Sequence, residues 1–389
     1  MYYEKITDMS QSKNLLHVIY SIYDDNRQNI SEYLWCYAIL FTSTIAIDCY
    51  LIRINKFHPI IYYNYFSAIG LRWIGVFPML FIVAVCVYCV FKDPARPFQH
   101  FRSLVTARYI SYLALSILGF SLALAFQAAF SDAKMSLSAG GFSFDKILAD
   151  VDEWVHFGAA PHKLLIGLLG SSEHLPLVDW NYGFIWMIYT FGTLFLVMAT
   201  SLGDGRRVGF VLCWVLCWTI VGNVLAGFFI SAGPIFYGNV TGDYARFHAL
   251  TDMMDAKSDV PGSLAWFRNY LWSRYTTQQV DVGIGISAFP SMHVSAATLA
   301  ALFWSSVGGR WVKGLTWAYL VVILASSVYL GWHYAIDGYV SVIVTVAVYH
   351  AVRSGAAWLG SLNGATRREP GRVEVGRSHG EPAGSVAGK

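Results

Sequence analysis

The run LTWAYLVVILASSVYL (315–330), followed at once by GWH (331–333) and YAIDGYVSVIVTVAVYHAV (334–352), decides the fold of this chain. About 20 apolar residues cross the ~30 Å hydrocarbon layer of a bilayer, so the run is too long for one crossing. Gly331 is the natural break, and the run reads as two membrane helices joined by a tight hairpin. That places His333 in the hairpin and Asp337 in the first turn of the last helix.

The same length rule, applied outward, gives spans at Tyr33–Ile52, Trp73–Phe91, Tyr109–Phe130, Tyr182–Thr200, Val208–Ile230, about Ser291–Val307, Leu315–Leu330 and Tyr334–Val352. The expected fold is all-α: a polytopic membrane bundle of about eight transmembrane helices. The sixth span is short, which suits a start inside a cavity rather than in lipid. Composition agrees, since 56% hydrophobic and only 13% charged residues do not suit a water-facing surface on 389 residues. A formal charge of +3 gives no reason to expect nucleic acid as a partner. All six cysteines fall inside the predicted spans and suggest no disulfide framework. Residues 1–32 are mixed and polar, without the pattern of a removable signal peptide, and read as a cytoplasmic segment.

Orientation follows from Lys and Arg in the short connections, because retained positive charge marks the cytoplasmic side. Lys92, Arg96, Arg102, Arg108, Arg206, Arg207, Arg310 and Lys313 lie on one side, and only Arg53, Lys56 and Arg72 in the short connections of the other. Both termini are then expected in the cytoplasm. His293, His333 and the long loops face the non-cytoplasmic side. Residues 131–181 interleave Phe142, Phe144, Ile147, Leu148, Val151, Trp154 and Val155 with Asp145, Asp150, Asp152 and Glu153, and read as amphipathic helices on the membrane surface. Residues 33–130 carry the first three spans and 182–352 a catalytic bundle. From 353 to 389 the composition shifts to Gly, Ser, Arg, Glu and Pro, as in a disordered cytoplasmic tail. Asp48, near the end of the first span, is either a buried functional acid or else a cap or hydrogen-bonding partner for a neighbouring helix.

The chemistry concentrates in ISAFPSMH (286–293) and HYAID (333–337). Pro290 suits a first helical turn, and Ser287 or Ser291 can satisfy free N–H groups there. A second helix starts in the same layer at His333–Asp337. Two N-termini facing one cavity present N–H donors and positive dipole ends, an environment for phosphate. His333 and Asp337, four apart on a helix, share a face. The carboxylate then keeps one imidazole nitrogen protonated and leaves the other free as a nucleophile. His293 is placed to give a proton to the departing oxygen. These three residues form a complete set for covalent phosphoryl transfer. A His–Asp pair also ligates metals, but two histidines and one carboxylate make a sparse metal site, and none is expected.

The residues FPSMH (289–293) and HYAID (333–337) resemble the second and third motifs of the type 2 phosphatidic acid phosphatase superfamily, in particular the branch containing inositol phosphorylceramide synthase. The resemblance covers roughly residues 180 to 352. It implies that His333 is the nucleophile, that Asp337 orients it, that His293 serves the leaving group, and that neither metal nor other cofactor is needed. Family phosphatases carry a first motif of Lys, six residues, then Arg-Pro; here Ser231-Ala-Gly-Pro234 stands in its place, without a cation. They also carry Ser-Arg before the third-motif histidine, where this chain has Ser326-Ser327. Both losses remove phosphate-clamping charge and favour the synthase-like branch. Arg246, Arg268 and Arg274 in the outer loop are the candidate replacements, and Ser287, Pro290, Ser291 and Tyr334 complete the expected substrate site. The expected function is a membrane lipid phosphotransferase working through phosphohistidine, with a bilayer lipid as substrate. The alternatives are a lipid phosphate phosphatase and a non-catalytic lipid-binding protein. Sequence alone gives no protein partner.

Overall fold

A computed structural model describes residues 30–170, 173–255, 262–281, 283 and 285–366. The expectations for residues 1–29 and 367–389 lie outside the described residues. Everything regular in the described chain is helical. The long helices are α1 (Ile30–Arg53), α2 (Ile60–Lys92), α4 (Ala107–Ser138), α7 (Leu175–Ala199), α8 (Arg207–Phe228), α13 (Arg310–Tyr329) and α14 (Ala335–Thr366). Among the described residues these seven helices are long and apolar enough to cross a membrane, and α12 (Met292–Val307) is a shorter apolar helix, as the sequence suggested for the sixth span. Shorter helices join them: α3 (Pro97–Leu104), α5 (Asp145–Val155), α6 (Pro161–Leu169), α9 (Tyr237–Thr241), α10 (His248–Asp255) and α11 (Leu264–Thr277).

Four helix ends differ from the sequence expectation. Helix α2 begins at Ile60 rather than Trp73, running through one wide turn at Phe66–Gly70. Helix α4 continues past Phe130 to Ser138, because Asp132 has a partner: it accepts the His58 backbone N–H at 2.8 Å and faces His58 Nδ1 at 2.8 Å. Helix α7 starts at Leu175, seven residues before Tyr182, and α14 continues past Val352 to Thr366. The α4 extension, Ser131–Ser138, is made mostly of small and straight-chain residues, which lengthen a helix at little cost.

Helix α12 runs through the middle of the bundle, packed on α7, α8, α13 and α14. It is buried nearly all round, from Val294 to Ala301, and made of small residues that let neighbouring backbones approach. Ser295 and Thr345 share a hydrogen bond of 2.7 Å across α12 and α14. At 16 residues α12 is ~24 Å long, so its start lies within the bundle rather than at its rim. Helix α4 packs against α7, which brings a helix of the first half of the chain to the edge of the central group.

Helix α5 is amphipathic, and one face of it packs on the bundle. Its Asp145, Leu148, Ala149 and Asp152 are buried against the bundle, while Ile147, Trp154 and Val155 stay exposed. The buried face contains carboxylates with backbone partners, Asp145 in the loop after α8 and Asp152 in the first turn of α14, and those bonds fix it to protein. Asp48 is the hydrogen-bonding partner that the sequence allowed: the Tyr62 hydroxyl meets both its oxygens at 2.8 and 2.9 Å. The opposite end of the bundle is fastened by Arg207, fully buried, which reaches Glu32 at 2.7 Å and Asp204 at 3.1 Å and lies 4.4 Å above the Tyr33 ring.

Candidate active site

Three loops meet at the start of α12: residues 231–236 after α8, 285–291 before α12, and 330–334 between α13 and α14. Ser231 ties the first to the second, its carbonyl accepting the Ala288 N–H at 2.8 Å and its hydroxyl the Phe289 N–H at 3.1 Å. The Ile235 N–H donates to the Gly331 carbonyl at 2.9 Å and joins the first to the third. Glycine is needed at both crossings. Gly331 has φ +72°, and a Cβ there would meet Leu250 at 2.3 Å; Gly233 has φ +93°, and a Cβ would meet the Trp332 carbonyl at 2.7 Å. The segment Ser231-Ala-Gly-Pro234 thus contributes backbone where family phosphatases carry a cation.

Helix α5 locks these loops from outside. Asp145 accepts N–H bonds from Ala232 (2.8 Å) and Gly233 (2.9 Å) and the Tyr334 hydroxyl (2.9 Å). Asp152 accepts the Ile336 N–H at 2.9 Å in the first turn of α14. Burial pushes both carboxyls upward from the ordinary range, and these donors pull them back.

His333 is not helical, because the turn at Gly331 delays the start of α14 to Ala335. The Trp332 and His333 N–H groups instead close on the Ser327 carbonyl at 3.1 and 3.3 Å. The expected shared helical face therefore does not form, yet His333 and Asp337 still meet, with Nδ1 3.4 Å from Oδ2. The nearer partner is the Ala288 carbonyl, 2.7 Å from Nδ1. A carbonyl only accepts, so Nδ1 carries the hydrogen and Nε2 keeps its lone pair. Burial, and then the positive charge of Lys134, hold the imidazole down to about 3, so it is neutral near pH 7. Asp337 is fully buried behind it and accepts the Tyr334 N–H at 3.0 Å.

His293 is the second residue of α12. Ser291 caps that helix, its hydroxyl accepting the Val294 N–H at 3.4 Å. Pro290 therefore stands just outside the first turn rather than within it. The His293 ring lies 4.2 Å from Tyr182 in a stack and 4.0 Å from Trp186, and the Trp186 indole N–H donates to the His293 carbonyl at 2.9 Å. Both aromatics belong to a wide turn of α7 or its edge, at Asn181–Ile185. The centres of the His293 and His333 rings are 6.4 Å apart.

The two histidines line one cavity of about 380 Å³, with Ser287, Pro290 and Lys134 among its other walls. Ser291 and Tyr334 stand behind it in cap and anchor positions. The three arginines singled out from the sequence are elsewhere. Arg246 is held by Asp150 (2.7 Å) and Glu153 (3.0 Å), Arg268 by Asp255, and Arg274 lies 3.3 Å from Asp281 on the wall of a separate cavity. The N-terminus of α14 is not open to an anion either, since Asp152 and Asp337 already take its first N–H groups. The residue missed by sequence reasoning is Lys134. It lies beyond Phe130, where the third apolar run ends, and its one signal in the sequence is a cation at the edge of a span.

The geometry is that of a buried imidazole, His333, and a partly buried one, His293, sharing one cavity in a bundle of apolar helices. The profile of the PAP2 superfamily matches residues 146–351, more than half of the chain, and the chain belongs to that superfamily. Members are generally phosphatases or phosphotransferases, and the seven apolar helices mark this one as a multi-pass membrane protein. No curated protein and no solved structure matches it.

Proposed function

We propose that the protein is a lipid phosphotransferase of the inositol phosphorylceramide synthase-like kind, acting through phosphohistidine. The observation that carries this reading is the 6.4 Å separation of His293 and His333 across one cavity. A nucleophile ~3–3.5 Å from phosphorus and a proton donor ~2.6–3.2 Å from the leaving oxygen need two imidazoles spaced in about this way.

In the first half-reaction His333 Nε2 gives its lone pair to phosphorus as the bond to the lipid alcohol breaks. The leaving oxygen takes that bonding pair and a proton from His293. In the second, an acceptor hydroxyl attacks the phosphohistidine, the P–N bond breaks back to Nε2, and the hydroxyl proton returns to His293. The Ala288 carbonyl and the Asp337 carboxylate near Nδ1 favour the positive charge that builds on the His333 ring during attack. Water as the acceptor would make the same residues a lipid phosphate phosphatase. The absence of family-type cations from Ser231–Pro234 and Ser326–Ser327 favours the transferase. The surplus of Lys and Arg at the far end of the bundle supports a site opening to the non-cytoplasmic face.

Purified protein in detergent, given a labelled lipid phosphate with and without an alcohol, separates the readings. A product that requires the alcohol is expected. Free phosphate alone would make the protein a phosphatase, and no turnover would leave only lipid binding. His333→Ala should abolish turnover and any phosphoenzyme, and His293→Ala should slow phosphoenzyme formation at least ~100-fold, within the range for a lost general acid. Full activity of either variant removes the mechanism.

A further inference from the structure

The cavity between the histidines contains a charge that the family match does not include. Lys134 projects from α4, twelve residues before the matched segment begins at 146, and lines the same cavity as His293 and His333. Among the described residues that line the cavity it is the one Lys or Arg. No carboxylate among the described residues neutralises it, whereas Arg246, Arg268 and Arg274 all have acidic partners. Its placement is fixed by backbone packing. The loop before α12 crosses α4 at this point, so closely that a Cβ on Gly285 would lie 2.9 Å from the Met135 nitrogen and 3.0 Å from the Lys134 carbonyl carbon. Gly285 also lines the cavity, so the contact that holds the loop to α4 is part of its wall.

We propose that Lys134 is the residue that binds the phosphate group in this cavity, and that a site with this one cation selects a singly charged phosphate, such as a phosphodiester, over a doubly charged monoester. The inference rests on the phosphotransferase reading and deepens it by naming the charge of the substrate. A buried anion must be matched by nearby charge or pay heavily in lost hydration. Of the other ionisable groups at the cavity, His333 is neutral, and the positive charge that His293 carries while it holds the proton for the leaving oxygen is offset by the carboxylate of Asp337 behind His333, so the net charge is that of the one ammonium. One ammonium balances one negative charge. A second would remain uncompensated in a low-dielectric cavity, where like and unlike charges are felt most strongly.

Equilibrium binding tests this apart from catalysis. The full chain in detergent is titrated with a lipid phosphonate monoester, a single anion whose P–C bond replaces the scissile P–O bond, and with the matching phosphonic acid at a pH where it is a dianion. Wild type should bind the monoanion at least tenfold tighter than the dianion. Lys134→Met should weaken monoanion binding roughly 10- to 100-fold, the scale of a lost charge-assisted hydrogen bond. Lys134→Gln, which keeps length and polarity, should weaken it similarly and stands in if the methionine variant fails to fold. Lys134→Arg should stay within about fivefold of wild type. Equal binding by wild type and the uncharged variants, tighter binding of the dianion, or no binding by wild type overturns the proposal. If binding behaves as expected while wild type transfers no phosphate, the phosphotransferase reading fails and the phosphate site stands.

Discussion

Replacing Asp145 by alanine tests how firmly α5 clamps the loops that meet at the start of α12. The carboxylate is 2% exposed and accepts from the Ala232 and Gly233 N–H groups and the Tyr334 hydroxyl, all at 2.8–2.9 Å. Alanine leaves three buried donors without an acceptor, at ~1–3 kcal/mol each, and water entering the space recovers part of that. The expected loss is ~3–5 kcal/mol. Tyr334→Phe removes one donor and leaves the carboxylate two, so it should cost only ~1 kcal/mol. The two residues touch, so their effects should not add. In the Tyr334→Phe background the alanine substitution should cost ~1 kcal/mol less than in wild type. Unfolding free energies from denaturant titration in mixed micelles give all four corners of this cycle. Activity should fall with stability, because Gly233 and Ser231 belong to the loop that positions the Ala288 carbonyl, and that carbonyl orients His333. An Asp145→Ala variant that unfolds within ~0.5 kcal/mol of wild type and keeps full turnover would refute the docking of α5 as a structural clamp.

The pH dependence of stability should contain a contribution from His333. Its folded value of about 3 lies below the ordinary ~6.5, so between those limits the unfolded chain holds a proton that the folded chain does not. The stability is therefore fully present above ~6.5 and lost as pH falls towards 3, by up to ~1.4 kcal/mol per pH unit; His333→Gln should flatten the slope measured from pH 4 to 6, and an unchanged slope contradicts it. At the far end of the bundle, Arg207→Ala should cost ~3–5 kcal/mol in unfolding titrations by stranding Glu32 and Asp204 beside a buried void, with turnover per folded molecule unchanged. A loss of turnover without loss of stability would mean that the two ends are coupled.

Local reading of the residues is enough for the class of the molecule. Twenty-residue apolar runs have one stable solution in a bilayer, so the spans could be counted, and the short sixth helix was recognisable from its length. The pairing of His293 with His333 was also legible, because two short motifs at the edges of apolar runs fix residue type and level in the membrane together. Local reasoning failed where bonds cross between distant segments. An amphipathic stretch looks the same whether its polar face meets water or the backbone of a loop, and only the fold shows that Asp145 and Asp152 hold residues 232, 233 and 336. The same bonds close the α14 N-terminus that the sequence offered to a phosphate. The arginines between α8 and α12 looked free because the acidic partners Asp150, Glu153 and Asp255 are remote in sequence or lie in other turns. Lys134 is the clearest case: its own helix offers only a cation at the edge of a span, and it joins His293 and His333 because α4 packs against α7 and the Gly285 loop crosses it. Spans are set by the free energy of transferring each segment into lipid, which is a local sum. A site is set by which segments become neighbours, and that is decided by packing across the whole chain.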